Sequence, residues 1–93
     1  MDKMEARALL AAFLQELKTL SYLELQNLLS NPRCLETEGR SGARYQIEYQ
    51  AVWDAAAGGN LRILAAIDDG GLVSALLPVT LDFLITPAGK IID

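Results

Sequence analysis

The chemistry open to this chain rests on carboxylates and a single thiol. Its 93 residues hold twelve Asp and Glu, one Cys and no His. Without histidine there is no usual general base near neutral pH, no Ser-His or Cys-His nucleophile and no imidazole metal ligand. Cys34 alone forms neither an internal disulfide nor a cysteine-based zinc site. As a catalytic thiol it lacks a base, so it reads as a bystander in a reduced, cytoplasmic setting. What remains is a carboxylate pair, whose members must lie within about 10 Å of each other for glycosidase-type work. Glu48, Asp54, Asp68 and Asp82 are the candidates. All four fall on or next to alternating stretches, so strand register decides which of them meet.

The clearest of those stretches is Tyr45–Asp54. Tyr45, Ile47, Tyr49, Ala51 and Trp53 alternate with Gln46, Glu48, Gln50 and Asp54, the pattern of a half-buried antiparallel strand. Three of the chain's six aromatics sit there. Two readings of them compete: the inner face of a sheet packed on helices, or a platform for a ligand. Val52 breaks the alternation, being apolar on the polar side. A second strand is read at 61–68, with Leu61, Ile63, Ala65 and Ile67 on one face. A third run alternates from Val73 to Ile85 through Pro78. At ~3.3 Å per residue it would span about 46 Å if straight, longer than a domain about 34 Å across, so a bend is expected at Pro78. Thr86-Pro87-Ala88-Gly89 makes a turn, and Lys90–Asp93 returns as a short last strand.

Ahead of the sheet, residues 2–19 are rich in strong helix formers, with Leu9 or Leu10, Phe13 or Leu14, and Leu17 at helical spacing. Ser21-Tyr22-Leu23-Glu24 fits a capping box. It predicts a second short helix over about 22–30, stopped by Asn31-Pro32; one unbroken helix over 2–30 is the alternative. Residues 31–44 form a connector, with an edge strand expected at Cys34–Glu38. The fold class is therefore α+β: one domain over residues 1–93, two layers, with a helix or helix pair on one face of an antiparallel meander of four to five strands.

Opposed residues on paired strands share a face. The inward residues are odd-numbered on all three strands, so paired numbers sum to an even value. Turn chemistry favours Asp54 opposite Arg62 and Val52 opposite Leu64, then, across Asp69-Gly70-Gly71, Asp68 opposite residue 72 and Leu64 opposite Leu76. This register keeps Asp54, Asp68 and Asp82 apart and leaves only Glu48 and Asp68 as neighbours. Two such carboxylates raise one another's pKa and suit a cation or an acid role; the competing reading is two solvated acids at a sheet end. The same register lines up Val52, Leu64 and Leu76 on the wet face, with Ala66 beside them and Leu72 and Leu84 on the same side. An aligned apolar row suggests a covered surface.

Net charge is −4, which argues against nucleic acid or an anionic membrane as the main partner. No apolar run approaches the ~20 residues of a spanning helix, and the residues before Ala8–Leu14 lack the positive region of an export signal. No cofactor and no metal is implied. The leading expectation is a small cytoplasmic interaction module of bacterial type that binds itself or a protein partner through the outer sheet face, using Val52, Leu64, Leu76, Ala66 and Leu72. The alternative is a small-ligand binder with a pocket between helices and sheet lined by Tyr22, Tyr45, Tyr49, Trp53 and Phe83.

Overall fold

Asp2 starts the first helix by accepting the Glu5 backbone N–H at 3.0 Å, which satisfies one of the free amides of the first turn. Helix α1 runs Lys3–Leu17 and buries Ala6, Leu10, Leu14 and Leu17 along one stripe. Ser21 and Glu24 form the capping box that opens α2, Tyr22–Gln26. Residues 2–30 thus hold two helices, and the break falls at the capping serine. The computed structural model describes residues 1–71 and 76–93.

Five strands follow: β1 Arg33–Glu38, β2 Arg44–Trp53, β3 Leu61–Asp68, β4 Val79–Ile85 and β5 Ile91–Ile92. They form one antiparallel sheet in the order β1-β2-β3-β4-β5, with α1 against β3 and β4 and α2 against β3. The expected two-layer α+β architecture is the one observed. The helix stripe meets the odd-numbered face of the sheet, where Tyr45, Ile47, Ala51, Leu61, Ile63, Ile67, Phe83 and Ile85 are buried. Beyond the Arg33–Tyr49 pair that starts the β1 ladder, the segment after α2 takes over: Ala51 donates its backbone N–H to the Leu28 carbonyl at 3.2 Å.

Register differs from expectation in both hairpins. Val52 faces Arg62 and Gln50 faces Leu64, two residues from the predicted pairing. Asp54 lies at the mouth of the loop, with its N–H on the Asn60 carbonyl at 2.9 Å. The cause is the turn at Ala56–Gly59, where Gly59 donates to Ala56 and Gly58 takes φ +85°, a conformation open mainly to glycine. It closes the loop one rung earlier than a looser connection would. In the next hairpin Ile67 faces Val79 and Leu64 faces Asp82, so Leu76 is not the partner of Leu64. β4 begins at Val79, and Leu76–Pro78 stand outside the strand. Pro78, which has no N–H to give a ladder, stands just before the first paired residue rather than at a bend inside the strand. Val73 and Leu72 lie outside the described residues.

Candidate functional site

Period-two alternation sends the even-numbered side chains to the face away from the helices. With the observed register these side chains form ordered rows. Cys34, Glu48, Ala66 and Thr80 make one row; Gln50, Leu64 and Asp82 the next; Val52, Arg62, Leu84 and Ile92 the third. The predicted Val52–Leu64–Leu76 row therefore does not form. Val52 and Leu64 occupy adjacent rows, and Leu76 lies off the sheet, exposed beside Leu77. Leu72 lies outside the described residues. An apolar surface is nonetheless present. Val52 and Ile92 are 38% and 39% exposed, and Leu64, Ala66 and Leu84 are half-buried.

Charges on this face pair selectively. Arg62 bonds Asp54 at 2.9 Å and also binds Asp82. This corrects the expectation that Asp54 and Asp82 lie far apart: the β3–β4 register brings Asp82 opposite Leu64, diagonal to Arg62. Both acids raise the Arg62 pKa, Asp54 most. Near the other end Arg44 bonds Glu36 at 2.9 Å. The expected Glu48–Asp68 rung is replaced by Glu48 opposite Ala66 and Gln46 opposite Asp68. Asp68 turns to its own loop, accepting the Gly70 N–H at 2.7 Å. Glu48 has neither ion pair nor hydrogen bond among the described residues. It borders a shallow groove of about 350 Å³ lined by Pro32, Glu48, Gln50, Leu64, Ala66 and Thr80. Among the described residues no group of three acids or cysteines is arranged to hold a metal ion.

The aromatic set occupies the opposite face. Tyr45 and Phe83 are buried in the core, with Tyr22, Tyr49 and Trp53 packed at its rim. Tyr49 meets Phe13 edge to face at 4.8 Å. The Tyr22 hydroxyl donates to the Gly59 carbonyl at 2.6 Å, and the Tyr45 hydroxyl to Glu5 at 2.7 Å. The chain itself thus supplies acceptors for the Tyr22 and Tyr45 hydroxyls.

Glu5 is the polar group that sequence reasoning missed. One oxygen accepts the Tyr45 and Ser41 hydroxyls and the other accepts the Ser41 backbone N–H at 3.0 Å. These bonds tie the start of α1 to the β1–β2 hairpin. The donors, Tyr45 first, lower the Glu5 pKa. Its contribution to stability is therefore full above the ordinary glutamate range and is lost as pH falls through the lowered value. The Tyr45 pKa is pushed up from 10.0 to about 12, first by the bond to Glu5 and then by desolvation. That contribution is full below pH 10 and is lost as pH rises towards 12. The melting temperature is expected to fall at both ends of the pH range. Tyr45→Phe should flatten the alkaline arm relative to wild type and shrink the acid arm, leaving the part due to Ser41. Equal alkaline slopes in the two proteins would rule the clamp out as the cause.

No helix among the described residues is long and apolar enough to cross a membrane. Set against known proteins, the chain matches no family model, no curated protein and no solved structure.

Proposed function

We propose that this protein is an interaction module that docks a protein partner on the outer face of its sheet. One observation carries the reading. The two helices cover the odd-numbered face, while the even-numbered face stands uncovered by any described element and carries Leu64 and Ala66 in a shallow groove, with Val52, Leu84 and Ile92 in the row that holds Arg62. Aligned apolar groups on an otherwise charged surface are the composition of a docking patch with a polar rim. Of the carboxylates of this face, Glu36 pairs with Arg44, Asp54 and Asp82 share Arg62, and Asp68 holds its own turn, which leaves Glu48 for a partner, an arrangement that suits recognition rather than acid–base catalysis.

The test is size exclusion with light scattering, together with affinity capture from the source cell, on wild type and Leu64→Asp. Leu64 sits mid-face between Gln50 and Asp82. The charge is expected to weaken the complex about tenfold or more, on the scale of a central interface residue, while circular dichroism shows the fold retained. A monomeric wild type that captures nothing, with a variant that behaves the same way, would overturn the reading.

A further inference from the structure

The charges of the molecule divide unevenly between its surfaces. The outer sheet face holds Glu36, Glu38, Glu48, Asp54, Asp68 and Asp82 against Arg44, Arg62 and Lys90, a balance of −3. The chain as a whole is −4, with twelve acids and eight bases. The remaining six acids and five bases nearly cancel, so most of the net charge lies on the face with the apolar groove.

This division decides between the two classes of occupant. Two copies meeting face to face would bring two surfaces of −3 together, and like-charge juxtaposition across an interface is costly. A cationic occupant meets the opposite situation. Glu48, without a partner among the described residues, stands beside the floor made by Leu64 and Ala66, with Gln50 and Thr80 at its edges. Lys and Arg side chains match such a site, because an apolar stem lies along the floor while the charged head reaches the carboxylate. The other face of this sheet is already covered by a helix through an apolar stripe, and an amphipathic helix is one of the elements whose apolar stripe can bury a sheet face.

Resting on the docking reading above, we propose that the occupant of the outer face is an amphipathic, Lys/Arg-flanked helix of a partner protein, its apolar stripe on Leu64, Ala66 and Leu84 and a basic side chain on Glu48. The arrangement is helix-in-groove recognition with electrostatic steering.

The test is a nuclear magnetic resonance titration of the labelled full chain with three probes: an amphipathic Leu/Lys helical peptide, its Leu/Glu counterpart, and spermine. The Leu/Lys peptide is expected to shift the amides of Glu48, Leu64, Ala66 and Thr80. Raising salt from about 50 to about 300 mM should weaken it about tenfold, as screening shortens the range of the field. Glu48→Lys reverses the groove charge and should weaken the peptide about tenfold as well. Glu16→Gln, on an exposed position of α1 away from the face, should leave it unchanged. Equal binding of Leu/Lys and Leu/Glu peptides overturns the inference. So does spermine reproducing the same shifts at similar concentration, which would mark a simple counterion surface. If the outer-face amides shift instead on concentrating the protein alone, the docking face stands and the cationic partner falls. If no probe and no concentration moves them, and capture is also empty, both fall.

Discussion

Phe83→Ala is expected to be the most damaging of the substitutions considered, costing about 3–5 kcal/mol. Phe83 is 2% exposed on β4 and belongs to the cluster that joins sheet and helices, with the Lys18 ammonium 5.5 Å from its ring centre. Truncation removes the ring's burial and leaves a cavity that its strand neighbours cannot close, because the rungs to Ile63 on β3 hold the backbone in place. Against a total stability of about 5–15 kcal/mol, that loss should lower the melting temperature by on the order of 20 °C, or leave the protein unfolded. Phe83→Leu, which keeps most of the volume, should cost less than half as much. Chemical denaturation of the three proteins separates the outcomes. A Phe83→Ala variant as stable as wild type would mean that the ring is not part of the core and would reopen the reading of an aromatic pocket.

The second large effect is expected at Gly39. A Cβ placed there would overlap Glu5 Oε1 and lie 2.5 Å from its carboxyl carbon, far inside van der Waals contact. The carboxylate is the end of a movable side chain, so Gly39→Ala does not force the backbone apart. It evicts the Glu5 carboxylate from the Ser41 and Tyr45 donors instead. The expected outcome is a lower melting temperature, because the buried Tyr45 hydroxyl loses its acceptor. The mechanism also predicts a coupling. Once Glu5→Ala has emptied the site, adding Gly39→Ala should cost little more, giving a strongly non-additive double-mutant cycle. Additive losses would place the damage in the backbone of the turn and remove the clamp from the explanation.

Much of the layer order was legible in the alternation. Odd-numbered positions on β2, β3 and β4 mark the inner face, and Ser21 with Glu24 marks the helix break. Register was not legible, for a physical reason. A slip by an even number of residues leaves every side chain on its own face, so the pattern is blind to the two-residue shift of the first hairpin and the six-residue shift of the second. Gly58 and Pro78 decided those shifts through local backbone constraints. The consequence reached the site: the apolar face was anticipated, but its rows and the shared Arg62 were not. The Glu5 clamp left no pattern at all, since its donors lie 36 and 40 positions away in sequence.

The position of Cys34 has a practical use. It is the one cysteine of the chain, it is exposed, and it stands directly across β1 and β2 from Glu48. A thiol-reactive fluorophore would therefore attach at a single known place, on the rim of the groove, with no engineered residue. Its emission polarity and its distance to a quencher on a bound molecule would report occupancy of that rim in real time. The unmodified protein thus carries its own labelling handle beside the surface in question.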